Sequence, residues 1–313
     1  MLAASPRIID CDREVFAENF NRLPHEVQHS LADHPLFQLP ALATLAERVA
    51  ARKSPHHPKS DAHFDQGPDS GNLHDRGHVD IGEMVREIEK GQAWVILKHI
   101  EREPDYREIA ETCIRDIFDL TGVKILKSVK WFEASLFITS PNRVTNYHVD
   151  RECAWLLQIQ GEKDFHLFDR ADKDVLSDDE LEKFWAVDNL APIYKPQYES
   201  RAMVYRLRPG VGVHSPVNTP HWLQNRNNVS VSLNINFQFH DHAWANLFRA
   251  NYHLRRAGLS PTFSGKYAVT DHIKSRIYTA IRSMKQSEKD RPKASHLEAR
   301  QNYERIAEML TSR

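Results

Sequence analysis

Two histidines and one aspartate in this 313-residue sequence have the residue types and the spacing of a metal site. His148 and Asp150 lie two residues apart in the segment VTNYHVD, whose β-branched and aromatic residues favour a strand. Side chains two apart in a strand point to the same face, so both can reach one ion. His221 opens a second strand-like segment, HWLQN, and provides a third ligand. Two imidazoles and one carboxylate leave open coordination positions, which suits a non-haem Fe(II) that binds a cosubstrate and O₂ together.

The third ligand has one alternative in the sequence. An H-x-D pair alone is a weak signal in a chain with 18 histidines. His214 lies seven residues before His221 in a strand-like position. We expect His214 to line the barrel, and it becomes the third ligand only if His221 faces outward. Five more histidines fall in one polar segment, where irregular spacing favours a solvated loop over metal binding: His56, His57, His63, His74 and His78.

Short strands must position these ligands. Between residues 123 and 240 the sequence alternates β-branched or aromatic runs with turn residues, a pattern typical of all-β folds. Seven strands are expected there, at residues 131–139, 144–150, 153–160, 164–168, 203–208, 221–225 and 229–239. Strands of this length and spacing predict a sandwich or barrel of the jelly-roll kind.

Helices, a strand and a long loop are expected before this β region. Apolar residues at helical spacing predict short helices within residues 13–52, a helix at residues 81–88 and another over residues 104–122. Residues 54–78 are dense in Pro, Gly, Asp and His and nearly free of aliphatic residues, which predicts a long exposed loop. The apolar run at residues 93–100 predicts a strand.

Further helices are expected inside and after the β region. Residues 177–187 predict an inserted helix, with Ser177 as its N-cap and acidic residues in its first turn. Three helical segments follow, at residues 242–256, 269–287 and 294–311. The chain is therefore expected to comprise an N-terminal helical or mixed part, a jelly-roll core and a C-terminal helical part, at residues 1–122, 123–240 and 241–313.

The context of the three ligand candidates resembles a known family. The runs VTNYHVDRECAWLLQIQGEKDFHLF, PGVGVHSPVNTPHWLQN and VSVSLNINF resemble the Jumonji-C (JmjC) and cupin-like branch of the Fe(II)- and 2-oxoglutarate-dependent oxygenases, and within it the asparaginyl hydroxylases. The resemblance covers residues 131–239. It implies a double-stranded β-helix with flanking helices, in which His148, Asp150 and His221 bind Fe(II) and carry the catalysis.

The same resemblance implies a binding site for the cosubstrate 2-oxoglutarate. Lys163 takes the position of the lysine that pairs with the distal carboxylate in such enzymes, Thr145 that of a threonine that hydrogen-bonds it, and Asn236 that of a further contact. Lys163 also lies in β-rich surroundings, where an inward ammonium would be costly without an anion. The sequence departs from the asparaginyl-hydroxylase pattern at Ala154 and Gln238, where an asparagine and a tryptophan are expected.

Composition limits the classes of partner and compartment. Lys and Arg total 42 against 43 Asp and Glu, a formal charge of -1, which argues against nucleic acid as a partner. No run approaches the roughly 18 apolar residues of a membrane span, so no membrane partner is expected. The three cysteines, Cys11, Cys113 and Cys153, show no C-x-x-C spacing, which favours a reducing cytoplasm over a disulfide-stabilised exterior.

Together these features predict a 2-oxoglutarate-dependent dioxygenase that hydroxylates a C–H bond. Its substrate is expected to be a peptide or protein side chain, with a small molecule as the alternative. Pairing of the C-terminal helices, as in the enzymes the chain resembles, implies a homodimer. Two other classes stay open: a cupin-type isomerase or metal-binding protein that uses the same ligands without oxygenase chemistry, and a regulatory protein with a degenerate site.

Overall fold

A computed structural model describes residues 7–52, 61–66, 80–121, 129–239, 243–262 and 268–286 of the chain. Twelve strands lie in these ranges: β1 Ile9–Asp10, β2 His25–His29, β3 Ala62–Gln66, β4 Ala93–Leu97, β5 Val129–Thr139, β6 Val144–His148, β7 Cys153–Gln160, β8 Lys163–Leu167, β9 Met203–Leu207, β10 Val211–Ser215, β11 His221–Asn225 and β12 Ser230–Phe239. The same ranges hold seven α-helices: α1 Arg13–Asn19, α2 Leu39–Ala51, α3 Ile81–Arg86, α4 Pro104–Thr121, α5 Asp178–Ala186, α6 Ala243–Arg256 and α7 Ala268–Gln286.

Two antiparallel sheets build a double-stranded β-helix. The major sheet has eight strands in the order β1-β2-β10-β7-β12-β5-β4-β3, and the minor sheet has four in the order β6-β11-β8-β9. Apolar side chains of β7 and β10 pack between the sheets against those of β8, β9 and β11. The expected jelly roll with flanking helices is therefore confirmed, and its interior lies between the two sheets.

The major sheet is covered on both faces. Along β7, Ala154 and Leu156 point toward the minor sheet, while Trp155 and Leu157 point the other way into a large core shared with the helices. Every residue of β7 except the last is buried. A strand buried on both faces reads as a continuous apolar run, which is why CAWLLQI was recognisable as a strand without alternation.

Two strands lie in segments for which the sequence predicted a helix or a loop. The prediction of helices throughout residues 13–52 is wrong at β2, which pairs with β10 so that Val27 lies opposite Gly212. A side chain at Gly212 would meet Leu157 Cδ2 at 2.5 Å, so glycine allows this close approach. The prediction of one long loop at residues 54–78 is wrong at β3, which pairs with β4 at the edge of the major sheet. The rest of that segment lies outside the described residues.

Most other predicted elements are confirmed, with shifted ends. The predicted strands at residues 144–150 and 93–100 end early, at His148 and Leu97. The inserted helix α5 has the predicted N-cap, Ser177, whose hydroxyl accepts from the Glu180 N–H in a full capping box. β10, which contains His214, was absent from the seven predicted strands.

The division of the chain at residues 122 and 240 stays a prediction. β1 to β4, from its N-terminal part, pair into the major sheet beside strands of the core. The predicted helix at residues 294–311 and four of the five loop histidines lie outside the described ranges; the fifth, His63, lies in β3. None of the helices within the described ranges is long and apolar enough to cross a bilayer.

Candidate metal centre

The structure brings His148, Asp150 and His221 together at one end of the barrel. β6 ends at His148 and β11 begins at His221, and the two residues are direct partners in the minor sheet. Their ring centroids lie 4.1 Å apart, and His221 Nε2 is 3.6 Å from Asp150 Oδ2. One ligand atom from each of the three side chains lies within 4.8 Å of the other two. Asp150 reaches the cluster from the turn after β6, so pairing of strands, as well as spacing, creates the convergence.

Both imidazoles are held in the tautomer that binds a metal through Nε2. His148 Nδ1 lies 2.7 Å from the Asn146 carbonyl oxygen, and His221 Nδ1 lies 2.8 Å from that of Thr219. A carbonyl only accepts, so each Nδ1 carries a hydrogen, and Nε2 is the ring nitrogen left to bind a metal. Burial, and then the neighbouring His148, lower the pKa of His221 to about 4, against the opposing effect of Asp150. His221 is therefore a neutral imidazole near pH 7.

A hydrogen-bonded brace links the two ligand segments to α5. The Asn218 N–H donates to the Asp150 carbonyl oxygen at 3.0 Å. Trp185 Nε1 donates in turn to Asn218 Oδ1 at 3.0 Å, and Arg249 Nε donates to the Trp185 carbonyl oxygen at 3.0 Å. Asn218 has a φ of 61°, in the left-handed region that asparagine tolerates better than most residues. The turn before His221 is thus fixed against the backbone of Asp150, a contact that the sequence did not reveal.

The cluster opens into a pocket between the sheets. Lys163 reaches this pocket from β8 and is only 4% exposed. Among the described residues its ammonium has no hydrogen-bond or ion-pair partner, and burial lowers its pKa to about 7. Besides the three ligand candidates and Lys163, the lining comprises Trp94, Phe137, Thr139, Thr145, Ala154, Leu156, Phe165, Ser215, Leu223 and Asn234. An anion bound in this pocket would balance the charge of the Lys163 ammonium.

The predicted cosubstrate residues fall at different depths. Thr145 lines the pocket together with Lys163. Asn236 is not part of the lining. Asn234, its neighbour on the same face of β12, does line the pocket, and Asn234 Nδ2 donates to Asn236 Oδ1 at 3.0 Å. The sequence held the signal for Asn234, because residues two apart in a strand share a face. Asn236 therefore sits beside the pocket and holds the amide that does line it.

His214 does not line the barrel, and this prediction is wrong. Its ring stacks on Trp155 at 4.4 Å on the opposite face of the major sheet. The alternation of β10 is the reason, because Val213 and Ser215 point between the sheets and the residue between them must point away. Its Nδ1 donates to the Ala154 carbonyl oxygen at 3.0 Å, and its Nε2 accepts from the Asn21 N–H at 2.9 Å. Neither nitrogen is available as a ligand to the cluster.

Of the two departures from the pattern of the asparaginyl hydroxylases, only Ala154 lines the pocket. Ala154 contributes to the lining, and Gln238 Oε1 accepts from Trp131 Nε1 at 2.8 Å. Gln238 Nε2 also lies 3.4 Å from Glu152 Oε1. Burial, and then Asp150, raise the pKa of Glu152 to about 7. Gln238 therefore contacts the carboxyl group of Glu152, which lies two residues after the ligand candidate Asp150 in the chain.

The chain is similar to known proteins in structure rather than in sequence. No family model matches the sequence, and neither does any curated protein. Structurally similar proteins include Escherichia coli ycfD, 12% identical over 87% of this chain and 67% of that one, with a TM-score of 0.49. The E. coli ribosomal oxygenase YcfD in complex with cobalt and 2-oxoglutarate is 13% identical over 88% of this chain and 67% of that one, with a TM-score of 0.45. A cupin superfamily protein from Desulfitobacterium hafniense is 13% identical over 34% of this chain and 68% of that one, with a TM-score of 0.23.

Proposed function

We propose that this protein is an Fe(II)- and 2-oxoglutarate-dependent dioxygenase that hydroxylates a C–H bond. One observation carries the proposal: a two-histidine, one-carboxylate cluster and a buried, unbalanced lysine line the same pocket. Either feature alone is compatible with several functions. Together they supply the ligands for a metal ion and a cation for a dicarboxylate, the two requirements of this reaction class.

The donor set fits Fe(II). His148 and His221 each leave Nε2 to bind a metal, and Asp150 adds one carboxylate, so the three side chains would occupy one side of an ion and leave the other side free. Backbone carbonyls at both Nδ1 atoms fix the orientation of the rings, as is usual for histidine ligands. Thiolate ligands, which would favour zinc, are absent from the cluster.

The pocket also fits 2-oxoglutarate. Lys163 would pair with the carboxylate remote from the metal, and the Thr145 hydroxyl would donate to the same group. When bound, the metal and 2-oxoglutarate supply the oxidising power for hydroxylation of a C–H bond by O₂, with succinate and CO₂ as coproducts. The chain's own contribution is to hold the three ligands, to orient the dicarboxylate through Lys163, and to exclude water with the apolar walls around Phe165 and Leu223.

A peptide or protein side chain is the proposed substrate. The Asp150 side chain is 42% exposed, while His221 is only 5% exposed, so the cluster lies at the mouth of the pocket with its carboxylate toward solvent. A side chain of a larger molecule can reach such a mouth without entering the barrel. The asparaginyl-hydroxylase resemblance of the sequence favours the same class, and a small molecule is the second candidate.

Succinate release tests the proposal. The protein is loaded anaerobically with Fe(II), then given 2-oxoglutarate in air, and succinate is quantified. We expect succinate to form only when Fe(II) is present. Its formation should disappear in Asp150→Ala and persist in His214→Phe. Succinate formation that Asp150→Ala leaves unchanged contradicts the assignment. Metal binding without succinate formation would instead identify a cupin-type metal-binding protein. Absence of both metal binding and succinate formation would identify a regulatory protein with a degenerate site.

A further inference from the structure

The inner face of the major sheet continues beyond the pocket. Ala154 lines the pocket on this face and pairs with Asn236 of β12. Gln238 is the next residue of β12 on the same face, because side chains alternate along a strand. Gln238 Nε2 lies 3.4 Å from Glu152 Oε1, so Glu152 joins Gln238 in one row of this face. Since two residues of a strand span about 7 Å, that row lies about 7 Å beyond Ala154.

Glu152 lies close to a ligand candidate. It follows Asp150 by two residues, so their Cα atoms are at most about 7 Å apart. The Asp150 side chain is 42% exposed, and Glu152 is half-buried. A molecule that reaches Asp150 from solvent can therefore also contact Glu152.

Two neighbouring side chains orient the carboxylate of Glu152. Gln238 Oε1 accepts from Trp131 Nε1 at 2.8 Å, which turns the amide so that its Nε2 points to Glu152. The contact of Nε2 with Glu152 Oε1 is long, at 3.4 Å. Glu152 Oε2 has no hydrogen-bond partner among the residues that the structure describes. One carboxylate oxygen is thus held, and the other is open to a donor from outside the chain.

The neighbouring cations of the chain have other partners. Arg151 Nη2 donates to the Phe184 carbonyl oxygen at 2.7 Å, toward α5. Lys98 Nζ lies 3.7 Å from Glu133 Oε1. Within the described part of the chain, Glu152 itself forms no ion pair. Its charge is therefore not balanced by the protein.

The proposed complex with metal and cosubstrate does not balance Glu152 either. The charges of Fe(II) and Lys163 would be matched by those of Asp150 and the 2-oxoglutarate dianion, which leaves no positive charge for Glu152. A half-buried carboxylate keeps part of its desolvation cost until a cation meets it. A cation carried by the substrate would supply the missing charge.

We propose that Glu152 is a specificity-determining residue that binds an ammonium or guanidinium group of the substrate while the carbon to be hydroxylated lies at the metal candidates. Because this assignment rests on the proposed dioxygenase function, it narrows the proposed peptide or protein substrate to one with a lysine or arginine at, or directly beside, the hydroxylated residue. Charge-assisted hydrogen bonds to a carboxylate are about twice as strong as those from neutral donors. Glu152 therefore favours these two side chains over asparagine or glutamine.

Peptide binding tests this assignment without turnover. The probes are acetylated and amidated pentapeptides, Gly-Gly-X-Gly-Gly, in which X is lysine, arginine or norleucine. Their dissociation constants are measured by NMR titration of the full-length, Co(II)-loaded protein, with and without 2-oxoglutarate. Norleucine has an unbranched side chain like that of lysine but no charge, so the lysine or arginine probe should bind at least about tenfold more tightly than the norleucine probe. A preference for one of the two cations identifies the group as ammonium or guanidinium.

Charge variants at the two ends of β7 provide the matched control. Glu152→Gln keeps the shape of the side chain but removes its charge, and should abolish the preference for a cationic probe. Glu162 follows β7 as Glu152 precedes it, about 30 Å away along the strand, and pairs with Arg206. Glu162→Gln should therefore retain the preference. Glu152→Lys should reverse it, in favour of a pentapeptide with glutamate at X.

Three results would overturn the proposal. They are equal binding of the lysine, arginine and norleucine probes, a preference that Glu152→Gln retains, and an equal loss of preference in Glu162→Gln. Failure of the proposed dioxygenase function is distinguishable, because it appears as absence of succinate. The preference for a cationic probe and its loss in Glu152→Gln are still measured in that case, since neither requires 2-oxoglutarate or O₂.

Discussion

Two pairs of histidines lie in different sheets, one pair on the minor sheet facing the pocket and one pair on the major sheet facing away from it. The metal pair, His148 and His221, has ring centroids 4.1 Å apart, and the aromatic pair, His25 and His214, has centroids 4.9 Å apart. Burial lowers the pKa of His221, His25 and His214 alike. By residue type and ring separation the two pairs are similar, although His148 is half-buried while the other three histidines are buried.

Their surroundings separate them. Asp150 lies 3.6 Å from His221, and the metal pair faces a pocket. The aromatic pair is enclosed by the rings of Phe16, Phe20 and Trp155. His214 Nε2 already accepts from a backbone N–H. His25 Nε2 is buried and has no hydrogen-bond partner among the described residues.

The space in front of Nε2 is what makes one histidine pair a candidate site. Nδ1 contacts a backbone carbonyl in both pairs, so the tautomer does not distinguish them. What differs is the space in front of Nε2: a carboxylate and an opening in one pair, aromatic rings or an N–H donor in the other. The first arrangement suits a cation, and the second stabilises neutral rings inside the core.

The largest expected effect is on metal binding. Replacing His148 or His221 by alanine should weaken Co(II) binding, measured by titration calorimetry, by more than about 100-fold, because each removes one of three ligands. His214→Phe should leave the affinity within about twofold. The comparison fails if His214→Phe weakens Co(II) binding as much as His221→Ala does.

Acid should act on the aromatic pair through stability. The folded-state pKa of His25 lies below its ordinary value of 6.5, so the unfolded chain binds the extra proton as pH falls below 6.5. The free energy of unfolding therefore has its full value above pH 6.5. Below pH 6.5 it decreases by up to about 1.4 kcal/mol per pH unit for each such histidine. His25→Phe should reduce this slope by one such contribution, measured by urea unfolding between pH 4.5 and 7. An unchanged slope would show that His25 is not held neutral.

Lys163 gives the pocket an unbalanced charge that the aromatic region lacks. Its folded-state pKa of about 7 lies below the ordinary 10.5, so its contribution to stability is present above pH 10.5 and declines as pH falls toward 7. Lys163→Met should therefore raise the free energy of unfolding at pH 7.5 by about 1–3 kcal/mol and abolish the thermal shift produced by 2-oxoglutarate. Lys90→Met, at an exposed position, is the control and should do neither. A destabilised Lys163→Met that still binds 2-oxoglutarate would show that Lys163 has another role.

The smallest expected effect concerns the brace behind the metal pair. Trp185→Phe keeps an aromatic ring but loses the hydrogen bond to Asn218, and should weaken Co(II) binding about tenfold. Asn218→Gly, which tolerates the positive φ, should have a similar effect. Trp244→Phe is the control, because Trp244 packs edge-on against Trp185 but makes no bond to Asn218. Equal losses in all three variants would indicate general destabilisation of α5.

Local composition was sufficient for most of the fold. CAWLLQIQ and HWLQN became β7 and β11 with the predicted ends, because short segments with large apolar residues, bounded by turn residues, fit a pleated, buried surface. β2 was missed because HEVQH has only one aliphatic residue, and its stability comes from pairing with β10, more than 180 residues away. β3 was missed for a similar reason, as a short edge strand inside a polar segment.

The sequence by itself determined the donor types, their spacing and the strands that carry them. It indicated the pairing of two histidines with an aspartate, and an inward lysine nearby. Only the tertiary structure decided which histidines meet a carboxylate and which meet aromatic rings. The physical reason is strand register. His148 and His221 are direct partners between β6 and β11, while His214 lies one position away from the residues of β10 that face the interior. A one-residue difference in a strand moves a side chain to the other side of the sheet.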